Sequence, residues 1–231
     1  MNSQKKLLTG LKNLDLMILA NLNDKDLVSV CNTSKRADEI CSDEHFWRKR
    51  IEVKFPNVGT DVFKKYKGNR TWADYYVHDL VKIARKNPDD ALEDAAKNGR
   101  LDHLMIAVDR GAYIYVINDA ALSLASRNGH LEVVKYLIKS WADIHAWDDA
   151  ALREASLYGH LEIVKYLIKL GAYIHADDDG ALSFASENGH LEIVEYLVSQ
   201  GANIHADNDE ALRRANKNGH LEVVKFLEQQ E

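Results

Sequence analysis

The dipeptide Gly-His stands at residues 129–130, 159–160, 189–190 and 219–220, and each copy opens the same phrase: HLEVVKYL, HLEIVKYL, HLEIVEYL or HLEVVKFL. The spacing is thirty residues every time. A strict period of that length builds a row of small stacked units, because one unit alone has too little core to fold and must bury its apolar face against a neighbour. One period upstream, NGRLDHLMIAVDRGAYI keeps Gly99, Leu101, Gly111 and Ala112, so a fifth, degenerate copy starts near Asn87. The units fall at about 87–116, 117–146, 147–176, 177–206 and 207–231.

Each unit resolves into two short helices. An aspartate recurs at 89, 119, 149, 179 and 209, three residues before Leu92, Leu122, Leu152, Leu182 and Leu212. Aspartate there predicts an N-cap, its carboxylate accepting an orphan N–H of the first turn. Alanines at 95, 125, 155, 185 and 215 share the leucine face and let helices approach closely. Gly99, Gly129, Gly159, Gly189 and Gly219 end the first helix as left-handed C-caps. In the second helix Leu131, Val134, Leu137 and Ile138 form an apolar stripe that returns thirty residues on. The slot of Val108, Ile138, Ile168 and Val198 becomes Glu228 in the last copy, a polar end suited to a terminal unit.

GHLEIVKYLIKLGA (159–172) followed by IHADDDGALSFAS (174–186) resembles the ankyrin repeat. The resemblance implies an all-α fold: a solenoid of helix pairs with projecting hairpin fingers, preceded here by a different N-terminal module. The family unit has about 33 residues; three are missing here from the connection, which implies short fingers. The family's Thr-Pro-Leu-His opening is absent, and the recurrent aspartate takes over the threonine's capping role. The thirty-residue unit and its GHLEIVKYLI phrase also resemble ankyrin proteins of giant amoebal DNA viruses, which would place the chain in a host-cell cytoplasm.

No repeat phrase occurs before Asn87, so residues 1–86 form a separate module of helical pattern, with Ser42 a candidate N-cap ahead of Phe46 and Trp47. ILANLNDKDLVSVCNTSKRADEICSDEHFWRKR (18–50) resembles an F-box, and RTWADYY (70–76) is similar to the Trp-containing helix that often follows one. That resemblance implies docking onto the small linker subunit of cullin-type ubiquitin ligases, through Leu14, Ile18, Leu19, Leu22 and Leu27. The motif's opening Leu-Pro lacks its proline near Leu11, and its aromatic is replaced around Lys35 to Ala37. The other reading of the module is a helical cap on the solenoid.

Charge and composition narrow the function class. Residues 1–86 carry 17 Lys/Arg against 11 Asp/Glu, a balance of +6, and residues 87–231 carry 13 against 25, a balance of −12. An array at −12 repels phosphate backbones, so nucleic acid is not an expected partner and a basic protein surface is. No apolar run approaches the roughly 18 residues of a membrane span, and the start MNSQKKLLTGLKNLD lacks a signal peptide's apolar core. With Cys31 and Cys41 as its only cysteines the chain fits a reducing cytosol or nucleus. His130, His160, His190 and His220 occupy one repeat slot and His145, His175 and His205 another, about 10 Å apart from unit to unit, too far to share a zinc ion. They predict structural imidazoles. No metal or cofactor set and no catalytic constellation is expected, so the reading is a non-enzymatic, monomeric binding protein.

Comparing units slot by slot locates a binding surface. The finger slot holds Ile117, Trp147, Asp177 and Asp207, and the end of the first helix holds Arg127-Asn128, Leu157-Tyr158, Glu187-Asn188 and Lys217-Asn218. By resemblance these are the places where ankyrin proteins grip partners. The third unit is apolar at all of them. Ile117, Trp147, Leu157 and Tyr158, rimmed by Asp148 and Asp178, therefore predict a groove for a client protein with apolar anchors and a basic rim. Trp141, in the slot of Gly111, Gly171 and Gly201, reads as local packing instead.

Overall fold

A computed structural model describes residues 22, 23, 27, 39–112, 114–140 and 142–230, and of 114–118 the backbone only. Leu14, Ile18, Leu19, Cys31 and Trp141 lie outside the described residues, as does the side chain of Ile117. The N-terminal part comprises α1 (Glu44–Lys54), α2 (Thr60–Lys67) and a third rod in which α3 (Trp72–Tyr75) continues through a π turn (Tyr76–Leu80) into α4 (Val81–Ala84). Five helix pairs follow: α5 (Pro88–Lys97) with α6 (Leu101–Asp109), α7 (Ile114–Arg127) with α8 (Leu131–Lys139), α9 (Ala146–Leu157) with α10 (Leu161–Lys169), α11 (Ala176–Glu187) with α12 (Leu191–Ser199), and α13 (Ala206–Asn218) with α14 (Leu221–Glu228). No helix among the described residues is long and apolar enough to cross a membrane.

The alanine column explains the stack. Ala95, Ala125, Ala155, Ala185 and Ala215 are all buried, so each first helix packs closely on the next. The row α5, α7, α9, α11 and α13 packs more intimately than the row of second helices. In the second helices Val133, Val134 and Leu137 are buried, whereas Leu131 is half-buried. The buried stripe is thus rotated one residue from the predicted one.

Gly-His locks each unit to the one before. The glycines sit at φ +66, +76, +81, +73 and +76 (Gly99, Gly129, Gly159, Gly189 and Gly219), the left-handed conformation that ends a helix. That bend lets the N–H of His130, His160, His190 and His220 bond the carbonyl five residues back, at 2.9 to 3.0 Å. Each imidazole then reaches across the unit boundary. His130 Nε2 meets Lys97 O at 3.0 Å, His160 Nε2 meets Arg127 O at 2.9 Å, His190 Nε2 meets Leu157 O at 3.1 Å and His220 Nε2 meets Glu187 O at 2.9 Å. A carbonyl only accepts, so Nε2 carries the proton in all four rings. The acceptors are the last residues of α5, α7, α9 and α11, whose carbonyls have no partner within their own helix. The ring lies against the preceding unit's glycine: a Cβ on Gly99, Gly129, Gly159 or Gly189 would stand 2.5 to 2.7 Å from it.

The recurrent aspartates do a different job from the predicted one. Asn87, not Asp89, caps α5, its side chain accepting Asp89 N–H at 2.8 Å ahead of Pro88. Asp119 lies within α7, and Asp149, Asp179 and Asp209 each close a run of three left-handed residues, Trp147–Asp149, Asp177–Asp179 and Asp207–Asp209. The carboxylates point to the next finger: Asp149 Oδ1 accepts Tyr173 N–H at 2.9 Å and Asp179 Oδ1 accepts Asn203 N–H at 2.8 Å. Asp119 likewise takes the Asp143 N–H, which opposes the upward push of burial on its carboxyl. Aspartate suits the position because it tolerates the left-handed region and offers an acceptor. The fingers are short, as the missing residues imply. They are built of turns, with no strand among the described residues.

The N-terminal module fuses to this array. Asp43, one residue after the expected Ser42, caps α1 by accepting His45 N–H at 2.8 Å. Phe46, Trp47, Ile51, Phe63, Tyr75 and Tyr76 are buried in a core continuous with that of the repeats, and Leu27 is buried while Leu22 packs against its edge. Cys41 packs partly buried against the same core and is disulfide-bonded, which departs from the reduced thiols of a reducing compartment. Where later units carry histidine, the first carries Arg100. Its guanidinium bonds Asp102 (2.9 and 2.7 Å) and Asp79 of the module (2.9 Å), while Tyr66 of α2 donates to Gly99 O at 3.0 Å. The fully buried Asp102 also accepts the Tyr75 hydroxyl. Burial and the Asp102 carboxylate push the Tyr75 phenol far up, and burial pushes His103 down. Burial would raise the Asp79 carboxyl, but Arg100 and Arg70 outweigh it and hold it low.

The interlock makes a comparison. Gly159→Ala and Gly219→Ala share the left-handed cost of about 1–2 kcal/mol. Only at Gly159 does the new methyl meet a neighbouring ring, His190, since nothing lies within 4 Å of Gly219. Displacing that ring forfeits a hydrogen bond of about 1 kcal/mol. Gly159→Ala is expected to melt roughly 2–6 °C below Gly219→Ala in a calorimetric scan; equal melting temperatures would remove the interlock.

Candidate binding surface

Trp147 and Tyr158 sit at opposite ends of the same element: Trp147 in the left-handed run that opens α9, Tyr158 at its C-cap. About eleven residues of mostly helical rise separate them by roughly 15 Å. The structure therefore does not gather them into one patch. Leu157 is half-buried and its carbonyl is taken by His190. Tyr158 is 42% exposed, but Arg127 donates to its hydroxyl at 2.6 Å and lies 4.8 Å from its ring centroid.

The face formed by the first helices between these ends is charged and internally paired. Arg127 approaches Glu154, and Arg214 bonds Glu187 and Glu210 and lies 5.2 Å from the Phe184 ring. Hydrogen bonds from Arg214 and Arg213 hold the half-buried Glu210 carboxyl below its ordinary value, and that with Glu210 raises Arg214. The Arg127–Glu154 and Arg214–Glu187 pairs link neighbouring units, so this face reads as a scaffold seam more than as an open apolar groove.

The finger edge is different. Trp147 is 58% exposed and Tyr173 57%, the two most exposed aromatic side chains among the described residues. They stand on consecutive fingers joined through Asp149, which lies two residues from Trp147 and accepts Tyr173 N–H. Tyr173 also meets His175 edge-on at 5.4 Å. Asp148 and Asp178 are exposed beside them and have no ion-pair or hydrogen-bond partner among the described residues, whereas Asp177 is paired with Arg153. Of the predicted groove residues, the structure thus brings Trp147, Asp148 and Asp178 to one edge and sets Leu157 and Tyr158 apart.

Sequence comparison missed two contributors. Tyr173 falls in a slot that reads Tyr113, Asp143, Tyr173, Asn203; Asp143 and Asn203 accept the N–H of His145 and His205 at 2.9 and 3.0 Å, a turn contact that a tyrosine side chain leaves unmade. Arg153 falls in a slot that reads Ser123, Arg153, Ser183, Arg213. Arg153 Nη2 donates to Trp147 O at 2.8 Å and Arg213 Nη2 to Asp207 O at 3.2 Å, so an arginine there clamps the finger of its own unit. Among the described residues no group of three or more His, Cys, Asp or Glu side chains could hold a metal ion.

With the pairs, seams and fingers in view, the comparison with family models is decisive for class: the model described as ankyrin repeats (3 copies) matches residues 92–178 and 154–231. The chain belongs to the ankyrin-repeat family. Members of that family are typically non-enzymatic scaffolds for protein–protein interaction. No curated protein sequence matches the chain.

Trp147 occupies φ +53, ψ +47, where an aromatic residue costs about 1–2 kcal/mol and Asp or Asn much less. The corresponding residues of the next two units are Asp177 and Asp207. Trp147→Asn is expected to leave the melting temperature unchanged or raise it by about 2–4 °C; a fall would mean that the indole is packed rather than displayed.

Proposed function

We propose that the protein is an interaction adaptor: its ankyrin array holds a client protein along the edge marked by Trp147, and its N-terminal module links that client to a cullin-type ubiquitin ligase in the cytoplasm. The exposed, clamped Trp147 carries the client half. Buried interface anchors are enriched in Trp and Tyr, and truncating one commonly costs 2 kcal/mol or more. The F-box likeness of residues 18–50 supports the ligase half, on residues largely outside those described.

A second reading has its own support. Tyr66, Tyr75 and Asp79 of the module occupy, around Gly99, Arg100 and Asp102, the place where a preceding unit would sit. A scaffold with no ligase link, its first 86 residues serving as a cap, accounts for that contact without docking.

One capture experiment separates them. The full chain, immobilised, is offered the purified linker subunit of a cullin-type ligase, and separately a cell lysate. Retention of the linker subunit to the level of a known F-box supports the adaptor; none, beside a captured client, leaves the scaffold. For the captured client, Trp147→Ala should weaken binding at least tenfold, and unchanged affinity would remove this edge from the account.

A further inference from the structure

The finger edge of units three and four combines features that point to one class of partner. Trp147 and Tyr173 present open aromatic faces, to which Lys and Arg are attracted. Asp148 and Asp178 add two carboxylates with no cation of their own among the described residues. These two are the acidic members of their slot, which reads Asn118, Asp148, Asp178 and Asn208, so the charge is confined to the fingers that carry the aromatics. The array as a whole is acidic, 13 Lys/Arg against 25 Asp/Glu over residues 87–231.

The spacing narrows the shape. Equivalent residues of stacked units lie one helix-packing distance apart, roughly 10 Å. In a β-strand, residues three apart point to opposite faces. In a polyproline II segment, residues three apart point the same way and lie about 9 Å from each other. The backbone of the edge is held ready, with Arg153 clamping Trp147 O and Asp149 and Asp179 tying each finger to the next.

We propose that this edge seats an extended, basic polyproline-type segment of a partner protein, with Lys or Arg at positions i and i+3 on Asp148 and Asp178 and one aliphatic-cationic stem lying over Trp147. The inference rests on the protein-binding reading above and adds the chemistry of the segment bound.

The test uses full-length protein and fluorescein-labelled proline-rich dodecapeptides in an anisotropy titration at low salt. One peptide has lysines at positions 5 and 8, the second at positions 5 and 6, and a third has glutamates at 5 and 8. The 5,8-lysine peptide should bind at least fivefold more tightly than the 5,6 peptide. Trp147→Asn, and separately the pair Asp148→Asn with Asp178→Asn, should each weaken it at least tenfold; all three positions are exposed, so the fold survives. Equal affinity for the two lysine peptides, equal affinity for the glutamate peptide, or undiminished binding by the double Asn variant overturns the proposal. Should a captured client depend on Trp147 but not on Asp148 and Asp178, the binding reading stands and this inference falls.

Discussion

One hydrogen bond, from an imidazole Nε2–H to the last carbonyl of the preceding unit's first helix, sets the geometry on which the rest of the solenoid depends. It satisfies a carbonyl that the helix leaves orphaned, and it does so across a unit boundary. Its donor is aimed by a left-handed glycine one residue earlier, and its ring needs the bare face of the previous glycine. Three requirements thus fall on two adjacent residues, which is why Gly-His returns unchanged while the two slots before it vary. A period of thirty follows from a contact that each unit must make with the one before it.

At the N-terminal end the same problem has another solution. Arg100 stands where a histidine would be, and the partner on offer is a module of different fold rather than a preceding helix pair. The guanidinium reaches both Asp102 and Asp79, and Tyr75 and Tyr66 close the contact. Breaking such a buried charged set by removing one partner typically costs about 3–5 kcal/mol, so module and array are expected to fold as one body. The π turn at Tyr76–Leu80 fits this role, since Tyr75 and Asp79 on either side of its start both face Arg100 and Asp102.

The repeat made most of the fold legible. Gly129, Ala125 and Leu137 could be assigned to cap, stack and core from their return alone, and His130 to a structural imidazole, whereas its reach across the unit boundary needs the fold. The aspartates were harder, because the residue at a helix start and the residue ending a left-handed run are the same residue, and both favour Asp. Only the direction of the carboxylate distinguishes them, and it points to Tyr173 and Asn203. The candidate site was half legible for a related reason. Trp147 stood out as the wrong residue for its slot, whereas Tyr158 did so only until Arg127 was found over its ring, a contact between units that no single slot reveals. Tyr173 and Arg153 act through the fold of the finger and not through the period.

The interlock is the claim on which units, fingers and displayed tryptophan all rest, and it is open to direct observation. A long-range proton–nitrogen correlation spectrum of the histidine side chains at neutral pH reads the tautomer of each ring. The account predicts that His130, His160, His190 and His220 each carry a proton on Nε2, and that these protons exchange slowly with solvent. Rings with Nε2 bare and the proton on Nδ1 would contradict it.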